Sequence, residues 1–437
     1  MKYETGNTTG EGTACSTTSH LQSTTEDGTP QVRFNLVRHP SNVLVKRYRL
    51  IDGRVIKEAG GKIPKGCTVT TIDSTLGNYA KLAHDGGPCQ YALPTNTYIG
   101  KNVPLTLKNR MQDGAVHRGA EVMHFEAKVP AVITFDYDPN PRAAYACDKS
   151  NDLWRLMEKL FPDAFVGAAH VGYVSSSSYI YLPDGAEYSG SKGHHTAFAV
   201  EDAEDVPRFS EALFRRLWLN GYGHIYITRS GILLARTIFD SKVMEAQQPL
   251  FAGGAHCEDG MEQRRPAPST VAGGYVRTKA IHTLSPKETT KYMRLLDEAK
   301  RTTAPEADRV RREYLRSEVQ RLVASGMNEQ RAHRMIESRF ADTLIGDDVL
   351  IFAEHGCRTV ADVLADPSKY DECNLHDPVE PEYGSAQTAI FFANEATNNP
   401  LVYSHAHGGR KFKLRLDENT DSIGPSAAPE VVAIQTG

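Results

Sequence analysis

The chain has 437 residues, of which 40% are hydrophobic and 24% charged, a composition typical of a globular protein with more than one buried core. Its formal net charge of −4 argues against a protein that coats nucleic acid by bulk charge, so any contact with phosphates must be local. The longest apolar runs, such as residues 131–135, are far shorter than the roughly 20 residues of a membrane-spanning helix. We therefore expect two or three domains and no membrane insertion.

The N-terminus and the cysteines bear on the compartment. Residues 1–30 are rich in Thr, Ser and Gly and lack a basic region followed by an apolar stretch, so we expect a flexible tail. The seven cysteines are odd in number, widely scattered and include no CxxC pair. This pattern argues against a disulfide framework and against a zinc ribbon, and it favours a reducing cytoplasm.

The region after this tail is expected to be rich in β-strands. Residues 32–128 contain short β-like runs broken by Gly, Pro and Asn, for example at residues 43–50 and 68–72. Residues 131–135 then form an apolar, β-branched run that predicts a buried strand ending at Asp136. Asp136 and Asp138 would share one side of this strand, because side chains alternate with a period of two.

The following elements alternate between helix and strand. The pattern predicts helices at residues 151–161 and after Asp205, where Pro207 would occupy the first turn and Gly221 would end the helix. Strands are predicted at residues 170–174, 179–182 and 195–200, and a hairpin at residues 225–228 and 232–239, whose second strand ends at Asp240. The order β, α, β, β, α, β, β predicts an α+β fold with an RRM-like layer.

The character of the chain changes after Gly274. Residues 285–340 are predicted to be mostly helical, and between Lys287 and Arg339 there are 13 Lys and Arg against nine Asp and Glu. Residues 341–437 return to a mixed pattern. We therefore expect a helical, locally basic domain at residues 276–345 and a small C-terminal domain or linking segment at residues 346–437.

Three carboxylates are the first candidates for chemistry. Two acids one residue apart at a strand end, Asp136 and Asp138, and a third on another strand, Asp240, could hold two divalent cations, Mg²⁺ or Mn²⁺, together with phosphate oxygens. Such ions activate an attacking hydroxyl and stabilise a leaving pyrophosphate. Taken alone, Asp-x-Asp followed by Pro is more often a turn with Asx hydrogen bonds.

A glycine-containing turn is the second candidate. Residues 189–195 offer backbone amides, the hydroxyls of Ser189 and Ser191, Lys192 and His195, which together suit the phosphates of a nucleoside triphosphate. The spacing is not that of a P-loop, and the alternative is a surface hairpin without a ligand. Arg236 could touch the same phosphates or could pair with one of the acids.

These segments, in order, resemble the three motifs of the archaeo-eukaryotic primase superfamily. ITFDYDP and LLARTIFD match the first and third motifs, which supply metal-binding acids, so the resemblance implies metal ligation by Asp136, Asp138 and Asp240. SGSKGHHTAF matches the second motif, which ends in a nucleotide-binding histidine, and looks like the SGxKGxH turn of the polymerase domains of bacterial end-joining ligases. His195 takes the histidine position and His194 stands where an apolar residue is more usual, so the choice between the two remains open.

The likeness is closer to primase-polymerases of phages and plasmids. They share the serine run at residues 175–178, VPRFSEALFRRLWLNGYGHI, RTIFDSKV followed by EQRRP, and NPLVYSHAHGGRKFKL, which together cover most of residues 130–415. The resemblance implies a template-directed DNA primase or polymerase of a mobile element in the cytoplasm of a bacterial host, with its RRM-like catalytic domain at residues 31–275. It also implies a single-stranded DNA template and an NTP or dNTP substrate. Because no helicase P-loop occurs, the helicase would be a separate protein, or the chain is a shortened form.

Two other functions remain open. The chain could be a catalytically idle replication initiator or adaptor that binds nucleic acid and recruits a helicase. It could also be a metal-dependent hydrolase built around His405 and His407, although no accompanying acid set follows them. A zinc site that adds Cys357, Cys373 and His376 to these histidines matches no standard spacing, and we predict no structural metal.

Overall fold

The computed structural model describes residues 29–416 except residues 59, 61–62, 107, 109–110, 139–149, 252, 383–387, 395–396, 398 and 407–408. Residues 1–28 of the predicted tail therefore lie outside the described residues. No helix within the described part of the chain is long and apolar enough to cross a membrane.

The described residues form a mixed α and β structure. Its strands are β1 (Gln31–Arg38), β2 (Arg47–Ile51), β3 (Arg54–Glu58), β4 (Thr68–Thr75), β5 (Gln90–Leu93), β6 (Val103–Thr106), β7 (Val116–His117), β8 (Ala131–Tyr137), β9 (His170–Val174), β10 (Ile180–Tyr181), β11 (Glu187–Ser189), β12 (His194–Val200), β13 (His224–Ile227), β14 (Leu233–Arg236), β15 (His256–Cys257), β16 (Glu262–Gln263), β17 (Ser269–Val271), β18 (Thr343–Ile345), β19 (Val349–Phe352), β20 (Gly356–Thr359), β21 (Asn374–Leu375), β22 (Ala389–Phe392), β23 (Leu401–Ser404) and β24 (Arg410–Arg415). Its helices are α1 (Leu76–Asp85), α2 (Ser150–Leu160), α3 (Pro162–Phe165), α4 (Val206–Leu219), α5 (Pro286–Ala324), α6 (Glu329–Phe340) and α7 (Val360–Ala365).

A nine-stranded sheet organises the first part of the chain. Its strands follow the order β17-β9-β12-β8-β1-β4-β6-β7, and β5 adds to β1. β12 is antiparallel to both of its neighbours, β8 and β9, whereas β1 runs parallel to β8. The turn that precedes β12 therefore lies at the end of the sheet where β8 finishes.

The two faces of this sheet pack against different helices. Ile133 and Phe135 of β8 belong to a core with α2, α3 and α4, whereas Val132 belongs to a core with α1. Because side chains alternate along a strand, Asp136 lies on the α1 side of the sheet. His195 of β12 stands opposite Asp136 in the register of the two strands, so both side chains share that side.

Several predicted strand limits were wrong. The predicted strand at residues 43–50 is β2 at Arg47–Ile51, and the one at residues 179–182 is only Ile180–Tyr181, because Tyr179 has a left-handed φ of 56°. The strand predicted to end at Asp240 ends at Arg236, and β13 and β14 form a separate two-stranded ribbon. The chain leaves the strand there because the adjacent side chains of Ile238 and Phe239 both enter one core, which strand alternation does not allow.

The first core extends beyond the predicted limit at residue 275. Val276 and Ile281 pack into the core that contains α2, α3 and α4, and the Val276 amide donates to the Ala199 carbonyl. α5 then begins with Pro286 and a capping box formed by Ser285 and Glu288. The packed segment after residue 275 therefore belongs with the central sheet.

The C-terminal part has a sheet and a core of its own. Its seven strands follow the order β18-β24-β23-β22-β21-β19-β20 and pack with α7 and with Tyr314 of α5. The β13–β14 turn touches this part, because the Ser230 amide donates to Glu380 Oε1 at 2.7 Å. At Gly231, where φ is 80°, a Cβ atom would lie 2.7 Å from the Ala307 carbonyl oxygen of α5. The ribbon is thus held at its turn by both α5 and the C-terminal part.

Candidate functional site

The candidate site begins with a contact between a histidine and a carboxylate on neighbouring strands. His195 Nε2 lies 2.9 Å from Asp136 Oδ1, and the two side chains are 7% and 26% exposed. The Tyr173 ring of β9 meets the His195 ring edge to face, with centroids 5.0 Å apart. His194 lies on the other side of β12, where its ring stacks with Tyr137. The structure therefore brings His195, and not His194, to the carboxylate of the first predicted motif.

Asp138 follows β8 directly and contacts the glycine-containing turn. A Cβ atom at Gly193 would lie 2.8 Å from Asp138 Oδ1 and 2.8 Å from the Tyr137 carbonyl oxygen. Only glycine therefore permits this close approach between the turn and the carboxylate. The signal was visible in the sequence as a glycine directly before the predicted strand, but its partner was not.

The backbone of Asp240 pairs with the edge of β8 that faces away from β12. Its amide donates to the Asp136 carbonyl at 2.9 Å in an isolated antiparallel bridge. Its side chain lies 3.3 Å from Arg236 Nη1 and accepts the Lys242 amide at 3.0 Å, which caps a short 3₁₀ helix. Of the two readings of Arg236, pairing with an acid is therefore the arrangement present in the structure.

The charges around these acids shift their protonation in opposite directions. Desolvation would raise the pKa of Asp136, but the positive charges of His195 and Lys46 outweigh it and hold that pKa below its usual value. Desolvation and the negative charge of Asp136 raise the pKa of Asp138, and Asp240 adds to the effect. Asp138 is therefore a carboxyl whose ionised form lacks sufficient positive charge nearby.

Lys46 is a residue of this site that the sequence did not reveal. Its ammonium group donates to Ser177 Oγ at 2.6 Å, and its charge acts on Asp136 and Asp138. Burial lowers the pKa of Lys46, with a smaller contribution from Lys57. It precedes β2 in the N-terminal flank, where no motif or spacing marked it.

The serine run supports the glycine-containing turn. Ser178 Oγ accepts the Lys192 amide at 3.0 Å, and Ser189 Oγ donates to the Ser177 carbonyl at 2.7 Å. Gln263, in the EQRRP stretch, donates to the Ser178 carbonyl at 2.8 Å and to that of Ser176. Several segments that carry the resemblance therefore meet around one turn.

The predicted phosphate ligands of the turn differ in their accessibility. Ser189 is buried and its hydroxyl is directed at the serine run, so the structure gives it a supporting position. Ser191 and Lys192 are exposed, and Ser191 Oγ lies 3.1 Å from His194 Nε2. Ser191 and Lys192 therefore remain available to a ligand from solvent.

The carboxylate oxygens and the negative charge of this site fit a divalent cation, but the side chains are not arranged to coordinate one. Carboxylate oxygens are the ligands that Mg²⁺ and Mn²⁺ prefer, and a cation would relieve the repulsion that raises the pKa of Asp138. Within the described ranges, however, no three His, Cys, Asp or Glu side chains are arranged to hold a metal ion. The oxygens Asp136 Oδ1 and Asp240 Oδ1 are already engaged, by His195 and by Arg236.

The alternative site around His405 has a different environment. His407 lies outside the described residues. Burial and the positive charges of Arg118 and Lys242 lower the pKa of His405, and such cations disfavour a bound metal ion. The Cys373 thiol lies 3.6 Å from His355 Nε2, whereas His376 Nδ1 faces the Pro381 carbonyl at 2.8 Å.

Comparisons with protein-family models, with curated proteins and with solved structures gave no significant match to this chain.

Proposed function

We propose that the chain is a template-directed DNA primase or polymerase that transfers a nucleotide from an NTP or dNTP to a 3′-hydroxyl. The observation that carries the proposal is the convergence at one end of the sheet of Asp136, Asp138, His195 and the backbone of Asp240. These residues come from the three segments that resemble the primase motifs. The single-stranded DNA template and a separate replicative helicase are parts of the same proposal.

An RRM-like core is the fold that we propose for this unit. β12 lies between β8 and β9, and the Asp240 segment bridges to β8 on the opposite side. A βαββαβ layer with the strand connected last beside the first would have this neighbour order. Only one bridge represents that last strand here, because the chain leaves β14 at Arg236.

The protein's own residues would bind and orient the substrate. Two divalent cations held by Asp136, Asp138 and Asp240 would supply charge stabilisation and an activated hydroxyl. Ser191 and Lys192 would bind phosphates from the turn, because both are exposed and Lys192 carries a positive charge. Arg236 would exchange its contact with Asp240, and His195 Nε2–H its contact with Asp136, for phosphate oxygens.

Incorporation of labelled nucleotide on a primed template tests the proposal. Asp136→Asn and Asp138→Asn should each lower kcat by at least two orders of magnitude without unfolding the protein, because they remove a charged ligand and keep the side-chain shape. Asp113→Asn is the matched control, since Asp113 is exposed and lies outside the three motifs. Activity should also require Mg²⁺ or Mn²⁺ and be lost with EDTA. Near wild-type incorporation by either variant would refute the metal assignment.

A second candidate function is a catalytically idle initiator or adaptor. The ion pairs that already occupy Asp136 and Asp240 favour it, because a pair of metal ions would have to compete with them. An idle adaptor would bind nucleic acid and a helicase but would incorporate no nucleotide with any divalent cation. The same incorporation assay therefore separates the two functions.

A further inference from the structure

A row of basic side chains follows the whole exposed side of α5. We call the row the basic stripe, and its members are Lys287, Lys291, Arg294, Arg301, Arg309, Arg312 and Arg316. Only two positions interrupt the interval of three or four residues, and they are occupied by Glu298 and Pro305. Residues three and four apart are neighbours on one face of a helix. The seven cations therefore form a single line roughly 44 Å long, at 1.5 Å of rise per residue.

The stripe faces solvent because the opposite face of α5 is packed against the rest of the protein. Tyr292 and Leu296 pack with α4 and with the β13–β14 ribbon, while Tyr314 enters the core of the C-terminal sheet. Ala307 is also buried on this face. All seven members of the stripe are exposed. A rotation of the helix that would hide the stripe would expose these buried side chains.

The acidic residues of α5 mostly flank this row: Asp297, Glu306, Asp308 and Glu313 are exposed on either side of it, and Glu298 lies within it. A helix face that is merely solvated usually mixes both signs of charge, because oppositely charged neighbours stabilise it. Here the row contains one acid, Glu298, among seven cations in a chain with a net charge of −4. Among the ion pairs of the described residues, one stripe member takes part, Arg309 with Glu313 at 2.8 Å.

We propose that the basic stripe binds the phosphodiester backbone of a nucleic-acid strand. A row of seven cations spread over roughly 44 Å matches a linear polyanion, and five of the seven are arginines, whose planar donors suit phosphate oxygens. An amphipathic helix that binds a lipid surface needs a face of apolar side chains beside its cations, but the apolar side of α5 is buried in the protein except for the isolated Met293 and Val323. Contacts to phosphate oxygens carry no sequence information, so binding through the backbone would not depend on sequence.

The position of α5 connects the stripe with the candidate site. The first half of the helix packs on β13 and β14, and β14 ends at Arg236, which pairs with Asp240. A strand on the stripe would thus be held on a helix fixed to the same ribbon. The binding proposal does not rest on the proposed catalysis, because an idle adaptor would use the same surface.

Equilibrium binding at several salt concentrations tests the proposal on the full chain. One variant carries Arg294→Gln, Arg301→Gln, Arg312→Gln and Arg316→Gln, which keeps good helix formers at every position. The control carries Arg54→Gln, Lys65→Gln, Lys81→Gln and Lys101→Gln, four exposed cations outside α5, so both proteins lose the same charge. The probes are a fluorescent single-stranded oligonucleotide long enough to span the stripe and a duplex of equal length.

The expected results differ between the two variants. Each lost phosphate contact lowers the slope of log K against log salt by about 0.7 for a single strand, so the stripe variant should lose up to roughly three units of slope. At low salt, the affinity of the stripe variant for the probe that occupies the stripe should fall tenfold or more. The control variant should keep the wild-type dependence of affinity on salt. Unchanged binding by the stripe variant, or equal losses in both variants, would overturn the proposal.

Two further measurements keep the proposal separate from its alternatives. In one arm, vesicles of phosphatidylserine and phosphatidylcholine replace the DNA. If the stripe variant loses vesicle binding but binds DNA as the wild type does, the proposal that the stripe binds nucleic acid is overturned in favour of a lipid surface. In the other arm, Asp136→Asn should bind the oligonucleotide as the wild type does. If Asp136→Asn still incorporates nucleotide, the proposed catalysis fails, and the proposal that the stripe binds DNA is unaffected. If the stripe variant binds DNA as the wild type does, the binding proposal fails and the proposed catalysis is unaffected.

Discussion

Replacement of Arg236 by Gln should separate metal binding from nucleotide binding. Arg236 Nη1 lies 3.3 Å from Asp240 Oδ1, and the two side chains are 35% and 40% exposed. The substitution removes a positive charge that competes with a cation for Asp240. It also removes a charge that the proposed function assigns to the substrate phosphates. Metal affinity and nucleotide affinity should therefore change in opposite directions.

The size of the effect follows from the exposure of the pair. Solvent-exposed ion pairs contribute about 0.2–1 kcal/mol, so the free energy of unfolding should change by less than about 1 kcal/mol. The same limit applies to the competition with a metal ion, and about 1 kcal/mol corresponds to roughly a five-fold change in an equilibrium constant. We expect the variant to bind Mn²⁺ up to about five-fold more tightly and to show a higher KM for nucleotide.

Two readouts and one control make this prediction decisive. Free Mn²⁺ measured by electron paramagnetic resonance gives the metal affinity without nucleotide, and primed incorporation gives KM. Arg215→Gln is the matched control, because Arg215 forms an ion pair with Glu211 that has the same four-residue separation in sequence and lies on α4, outside the candidate site. Unaltered or weaker Mn²⁺ binding by Arg236→Gln would show that Asp240 is not a metal ligand, and an unaltered KM would exclude contact between Arg236 and the nucleotide.

Two further outcomes follow from the structure. Gly193→Ala should lower incorporation at least tenfold and also lower the thermal midpoint, because its Cβ would lie 2.8 Å from both Asp138 Oδ1 and the Tyr137 carbonyl oxygen; wild-type kinetics would show that the turn can shift without disturbing the site. The side-chain hydrogen bond from Arg208 lowers the pKa of Asp205 in the folded state, so its stabilising contribution is present above about pH 4 and is lost as pH falls further. Asp205→Asn should remove that part of the acid dependence in urea unfolding curves, and identical curves for both proteins would contradict it.

Local periodicity was sufficient to predict the strand that carries Asp136 but not the one expected to end at Asp240. The alternation of side chains in β8 predicted Asp136 and Asp138 on one side, and the motif order predicted a histidine beside them. The choice between His194 and His195 could not be made from spacing, because it depends on the register of β12 against β8. That register pairs His195 with Asp136 through hydrogen bonds between segments far apart in sequence.

Long-range packing decided the features that sequence patterns did not predict. Lys46 reaches the acids only because β2 and β15 pair, with the His256 amide bound to the Lys46 carbonyl at 2.9 Å. The end of β14 depends on Phe239, which stacks with Phe135 at a centroid distance of 4.3 Å. Neither contact leaves a local pattern in the chain, because each joins segments more than 100 residues apart.

The attachment of the β13–β14 turn gives the ribbon a mechanical property. One end is bound at Ser230 to Glu380 of the C-terminal part, and the other continues to Arg236 and Asp240 beside β8. A two-stranded ribbon is stiff along its length because its cross-strand hydrogen bonds resist shear. The ribbon therefore links Glu380 of the C-terminal part to the segment that carries Asp240, so a displacement of the C-terminal sheet that keeps the Glu380 bond would be transmitted toward the carboxylates.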